Sequence, residues 1–436
     1  MKILPYFLWN NPILSNSKYL GDLRVPSFVE WNSRLLTVKI CFFYLLCLPI
    51  SLNVYAVELF DTVQIHGFAS QAMFLTSGNN MFGPSISNPN FDFTELGING
   101  SWVPLPNLRL SMQIISRRAG GWNNGTPQID FGLLDYGFDF NSDYRLGIRA
   151  GRVRQPYGLY NDTRDVAFTR PSILLPQSIY FEGTRDLTIS SDGLLLYGQS
   201  RKPWGNLTLD LFGGYPRSNS KDSEYSLMGQ LTSGSLNPNP SFMGRLNYEA
   251  NDGSLRLALT GTYANMEYKP KNIYDPISRG SVNLSPIVLS AQYNLEKWSF
   301  TSEYTYSFFT HSGFGSGIDG TQNLEGYYFQ TAYRFAPKWE LMARYDVLHL
   351  NTNDENGQKY QASGLGPAYS QFAKYFVVGL RYDITPWMMV RAEYDYVNGT
   401  ALLPPQGFLD TQTGLPDYSK TTQYWNMFGF LVSFRF

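Results

Sequence analysis

Between residues 152 and 186 the chain sets five arginines, Arg152, Arg154, Arg164, Arg170 and Arg185, against four acids, Asp162, Asp165, Glu182 and Asp186. Charges of both signs gathered around a narrow aqueous opening sort ions by sign and size. The same residues could instead pair with one another and pin a loop to a wall. Both readings fit the sequence. Covalent chemistry has less to build on. The three histidines, His66, His311 and His349, are far apart in sequence, so no nucleophile and base are set side by side, and no zinc set is evident. "NTNDENG" at 351–357 and "GIDGTQNLE" at 317–325 are acid- and amide-rich external loops without the full spacing of a calcium loop. No enzyme, metal or cofactor is expected.

The elements that must carry these charges are strands. Segments of roughly ten residues alternate apolar with polar, as in "YRLGIRAG" at 144–151, where Tyr144, Leu146, Ile148 and Ala150 share one face and Arg145, Gly147 and Arg149 the other. Sixteen such segments begin near residues 62, 91, 108, 129, 144, 186, 206, 242, 254, 282, 298, 325, 338, 375, 387 and 422. Connections alternate between tight turns, such as "PLPN" at 104–107, "NSD" at 141–143 and "ITP" at 384–386, and long loops such as 153–185, 214–241, 351–374 and 398–421. The chain therefore goes up, turns, comes down and loops. An open sheet of sixteen strands would be unusually large, and closure is compulsory in lipid because edge amides find no water there. The expected fold is all-β: a transmembrane antiparallel up-and-down β-barrel of about 16 strands. A soluble propeller or β-helix is the competing architecture, and neither predicts the short/long alternation together with aromatics at strand ends.

Composition agrees. Aromatics make up 16% of the chain and charged residues also 16%, the latter below the roughly 25% of soluble domains. A net charge of -1 offers no basic surplus for nucleic acid. The run "KICFFYLLCLPISLNVYA" at 39–56, with Arg34 and Lys39 before it and small residues before a cut after Ala56, reads as a signal peptide over 34–56. It is shorter than the roughly 18 to 20 apolar residues of a helical span. Residues 1–33 are then expected to be an upstream extension that is not translated. The barrel takes up 57–436, with 29 basic and 33 acidic residues and no cysteine.

The closing strand, "WNMFGFLVSFRF" at 425–436, puts Phe428, Phe430, Val432, Phe434 and Phe436 on one face. That face meets lipid, and Tyr144, Tyr248, Tyr293, Trp298, Trp339 and Trp387 sit near strand ends, as in an aromatic girdle. An arginine at the lipid midplane costs about 2 to 4 kcal/mol, so strand charges mark the inner face. They include Arg109, Asp135, Arg145, Arg149, Arg245, Arg256, Glu303, Arg344, Asp346, Arg381, Arg391, Glu393 and Asp395.

The terminal strand resembles the signal read by the bacterial barrel-assembly machinery, through Phe428, Phe430, Phe434 and Phe436. The stretch "GRVRQPYGLYNDTRDVAFTRPSILLPQSIYFEGTRDLTISSDGLLLYG" at 151–198 resembles the same region of Gram-negative outer-membrane porins, of the phosphate-selective and dicarboxylate-porin type. The resemblance implies a homotrimer of water-filled channels in the outer membrane, in contact with the lipid bilayer and lipopolysaccharide, with the third external loop, 153–185, folded inward. The nine charges at 152–186 then become the pore constriction. The slightly acidic balance gives no support for phosphate. Passive diffusion of small hydrophilic solutes or ions is the expected function, and a barrel-anchored surface binding or adhesion protein is the alternative. An anchor needs only eight strands, whereas sixteen enclose water.

Overall fold

The computed structural model describes residues 57–60, 62–86, 88–217, 221–315, 318–410 and 413–436. The expected extension 1–33 and signal peptide 34–56 lie outside the described residues. Sixteen strands form a closed antiparallel ring. In chain order they are β1 Val63–Thr76, β2 Asn90–Leu105, β3 Leu108–Ala119, β4 Gln128–Asp139, β5 Tyr144–Arg154, β6 Ser190–Lys202, β7 Gly205–Pro216 and β8 Ser241–Glu249. There follow β9 Leu255–Lys269, β10 Gly280–Asn294, β11 Trp298–Ser312, β12 Gly320–Ala336, β13 Trp339–His349, β14 Phe372–Thr385, β15 Met388–Gly399 and β16 Tyr424–Arg435. Two short strands extend the sheet: Val57–Phe60 pairs with β1, and Ser235–Pro238 pairs with β9.

Tight turns at one end, such as 106–107, 203–204, 337–338 and 386–387, alternate with long loops at the other, among them 155–189, 217–240, 350–371 and 400–423. Two strand starts depart from the periodicity. β6 begins at Ser190, because Arg185–Thr188 is helical. β12 begins at Gly320, inside the stretch read as an external loop. There Thr321 pairs with Thr310, hydroxyl to hydroxyl at 3.0 Å, so polar residues carry the hairpin onward as strand where the hydrophobic pattern has already ended.

Alternation sorts the side chains. On β13, Trp339, Leu341 and Tyr345 are exposed on one face while Met342, Arg344 and Asp346 are buried on the other. The exposed face continues around the ring through Leu194, Leu211, Phe242, Leu289, Phe329 and Phe376. Apolar surface this extensive is an aggregation hazard in water and is solvated in a bilayer. At the turn end, rings pack against one another: Trp298 stacks on Tyr333 (4.2 Å between centroids), Trp339 lies tilted against Tyr382 (4.5 Å), and Trp204 of the β6–β7 turn stacks on Tyr248 (5.8 Å). Their amphipathic rings suit the headgroup level.

The ring shuts between β16 and β1, with Arg435 opposite Phe68 and Met427 opposite Thr76. The last residue takes part: Gly67 N–H donates to the Phe436 carbonyl (3.1 Å), and Phe436 N–H donates to the Gly67 carbonyl (3.0 Å). A Cβ at Gly67 would overlap the Phe436 ring, so a glycine there leaves the space that the ring fills. Phe436→Asp keeps both main-chain bonds and replaces the ring by a carboxylate. It is expected to lower the yield of heat-modifiable barrel in the outer membrane several-fold, while the melting temperature of barrel that does form moves by only a few degrees. Wild-type yield in the variant strain would count against this.

Candidate functional site

Strand β5 gives way at Pro156, which has no N–H for a ladder. Gly158 then adopts φ +56°, and a side chain there would overlap the Tyr180 hydroxyl. At this turn the chain leaves the wall. The next N–H, that of Leu159, points at Glu303 of β11 (3.0 Å) and at the Tyr180 hydroxyl (2.8 Å).

Wall side chains hold segment 155–189 along its length. Arg245 of β8 donates to Asp162 (2.8 Å), Arg256 of β9 to the Leu159 carbonyl (3.3 Å), and Arg381 of β14 to the Phe168 carbonyl (3.3 Å). Arg391 of β15 donates to the carbonyls of Arg170 (2.9 Å) and Ser172 (2.8 Å). Arg344 of β13 reaches the Leu174 carbonyl at 3.2 Å. Carboxylates of the same two strands cap the segment's amides: Glu393 accepts from Ile173 N–H and Asp346 from Gln177 N–H, both at 2.8 Å. The other flank is tied to β2 and β3, through Arg170–Glu95 (2.7 Å) and Arg117–Glu182 (2.7 Å). A segment bound to β2 and β3 and also to β8, β9, β11 and β13–β15 crosses the inside of the ring.

Its own charges are compensated. Arg164 pairs with Glu182 (3.1 Å), which also takes Arg117, which in turn bonds Glu95 (3.0 Å), the partner of Arg170. Asp165 lies between Arg154 and Arg185, and Arg154 also meets Asp130 of β4. Arg164, Asp165, Arg170, Glu182 and Arg185 are all buried. Removing one member of such a buried pair costs about 3 to 5 kcal/mol, because the charge left behind has no water. Burial alone would raise the carboxyl of Glu182, but the guanidiniums of Arg117, Arg164 and Arg185 together outweigh it and hold the group at about 2. Asp165 is depressed still further: Arg185 and Arg154 overcome its burial.

Arg152 stands apart from this set. It shares the phase of Leu146 and Ile148 and makes a two-pronged pair with Asp192 of β6 (2.7 and 3.0 Å), in phase with exposed Leu194 and Leu196. This pairing with an exposed Asp192 puts it on the outer side of the wall, and the expected constriction loses this member, whereas Arg154, in the same phase at the end of β5, turns to Asp130 and Asp165. Asp186 bonds none of the other eight, and its field acts on Arg217. On the turn side of the segment, a cavity of about 480 Å³ is lined by Arg109, Asp135, Arg149, Asp162, Asp210 and Arg245. Arg149 pairs with Asp135 (3.0 Å) and covers the Tyr197 ring (4.8 Å). Arg145 bonds Asp139 (3.2 Å) nearer the turns. Glu95, Arg117, Asp130 and Asp210 complete these pairs and were missed from sequence. The phase rule that marked Arg344 and Arg391 would have found Glu95, Arg117 and Asp210, but not Asp130, which shares the parity of exposed Leu134 and Tyr136 and turns inward only at the register shift between β3 and β4.

A family model described as "Putative beta-barrel porin-2, OmpL-like" matches residues 216–434, just over half of the chain. No curated protein matches it in sequence. Solved structures share the fold at low identity. OmpT, an outer membrane protein of Vibrio cholerae in a trimer form, is 13% identical, with 86% of this chain and 99% of that one covered at a TM-score of 0.52. The outer membrane channel DcaP of Acinetobacter baumannii is 11% identical over 88% and 99%, at 0.54. OprB of Pseudomonas putida is 11% identical over 86% and 94%, at 0.51. With its closed sixteen-stranded wall and its match over residues 216–434, the chain belongs to the OmpL-like family of β-barrel porins and resides in the outer membrane.

Proposed function

We infer that the barrel is a channel for passive diffusion of small hydrophilic solutes or ions, with segment 155–189 as its constriction. The observation that carries this is the crossing of the interior by one segment whose charges are held in place by the wall, beside a charged cavity on the turn side. Pairing does not abolish the field of such a segment. It fixes where each charge stands, and a fixed charge next to a water path acts on ions at short range. Arg154, Asp162, Arg164, Asp165, Arg170, Glu182 and Arg185 form the constriction in this reading, and Arg109, Asp135, Arg149 and Arg245 line the exit beneath it. The assembly is a homotrimer in a lipopolysaccharide-bearing membrane, reached through the signal peptide and the barrel-assembly machinery. The trimer form of OmpT supports that arrangement only as a shared fold.

Deleting residues 159–183 is expected to raise single-channel conductance in planar bilayers. A correctly folded deletion variant with unchanged conductance would place the narrowest point elsewhere. Arg164→Gln combined with Arg170→Gln leaves Glu95 and Glu182 short of partners. The reversal potential under a salt gradient is expected to move toward cation preference, most clearly at low ionic strength where screening is weakest. An unmoved reversal potential would mean that permeating ions do not sense this network.

Acid provides a further test. The Glu182 carboxyl sits at about 2 against an ordinary 4.5, so its contribution to stability is complete above the ordinary value and is lost as pH falls from there toward 2. The folded barrel should lose melting temperature across that window. Glu182→Gln should be less stable at neutral pH and lose less through the window than wild type. Parallel losses in the two proteins would assign the acid sensitivity to other groups.

A further inference from the structure

The loop side of segment 155–189 differs in kind from the turn side. A cavity of about 400 Å³ lies there between the segment, the walls of β7–β13 and the long loops, and no aspartate, glutamate, lysine or arginine is among its lining residues. Its apolar surface combines leucines with rings and thioethers, among them Phe181, Phe212, Phe309, Met228, Met243 and Met266. Thioethers adapt to the shape of a ligand and make favourable contacts with aromatic rings.

Membrane solvation does not account for these residues. Met266 of β9 and Phe309 of β11 are inner-face positions, out of phase with exposed Tyr263 and Phe308. The inner face of a water-filled barrel is polar, and elsewhere on this wall it carries Arg245, Arg344 and Glu393. Here the inner face is uncharged across adjacent strands. Polar groups are present but neutral. Ser307, only 5% exposed, and Thr262 are lining residues whose buried hydroxyl oxygens have no hydrogen-bond partner among the described residues. The one imidazole, His311, is engaged with the Leu227 carbonyl at 2.9 Å. An apolar pocket with a few unengaged polar groups is the usual composition of a small-molecule site.

We propose that this loop-side chamber binds an uncharged amphipathic small molecule, an apolar ring bearing hydroxyl groups, ahead of the charged constriction. The ring lies among the phenylalanines and methionines, and its hydroxyls meet Thr262 and Ser307. A charged solute of the same size is rejected, because nothing in the lining replaces its water. The inference rests on the reading of the barrel as a channel and names the class of solute that its loop side favours.

Phenyl β-D-glucoside and glucose separate the idea from simple sieving, since both are neutral and only one has the ring. Added on the loop side of wild-type channels in a planar bilayer, the phenyl glucoside is expected to interrupt the current saturably and glucose to leave it steady. Phe309→Ala with Met266→Ala should weaken that block about tenfold. Thr262→Val, which keeps the side-chain shape, should weaken it by a smaller factor and serves as the decisive variant if the double substitution does not fold. Equal behaviour of the two sugars, or block undiminished in a folded variant, overturns the proposal. If the barrel carries no current, the channel reading fails by itself. Equilibrium dialysis of the phenyl glucoside against proteoliposomes then decides the chamber: saturable uptake reduced by Thr262→Val supports it, and no saturable uptake overturns it.

Discussion

A polypeptide in hydrocarbon has no water for its amides, and each one left without a partner there costs several kcal/mol. Everything else in this barrel follows from meeting that demand by closure. Once β16 lies against β1, no edge remains, and every strand must show one face to lipid and the other inward. The outer face can then be as apolar as Phe329 and Leu289 make it. Charges are driven to the inner face, where Arg344, Arg391 and Glu393 stand.

Those inner charges then meet a second demand. Segment 155–189 brings its own backbone into the ring, and its amides and carbonyls need partners as much as those of the wall do. Carboxylates of β11, β13 and β15 accept its N–H groups, while arginines of β8, β9 and β13–β15 donate to its carbonyls. The wall's charges are therefore spent on main chain as well as on opposite charges. The interior acquires a polar girder with an uncharged space on one side and a charged one on the other.

How much of this could be read beforehand divides along a physical line. Strand positions were legible because lipid enforces strict alternation, and each of the sixteen periodic segments corresponds to a strand of the ring. Limits were less legible where lipid does not reach: the Thr310–Thr321 rung is polar on both sides and carries no hydrophobic period. At the site, the charged residues were visible as charges. Their pairing was not, because Glu95 and Arg170 are brought together by the path of a loop that no local pattern encodes. Arg152 shows the converse, since its charge drew it into the group although its partner Asp192 stands in phase with exposed Leu194, while Arg154, in the same phase, does belong there. The uncharged chamber was invisible for a similar reason, as its lining is drawn from strands and loops distant in sequence.

The seam at Phe436 has a bearing on the order of assembly. Segment 155–189 precedes in sequence β11, β13 and β15, the strands whose carboxylates receive it. Until those strands are in place its buried arginines and acids have only β2, β3, β5 and each other. The ring itself cannot shut until the last residue has reached Gly67. The girder must consequently be laid inside a hull that is still open, and the final strand seals it in. A barrel closed with the segment misplaced could correct itself only by reopening that seam.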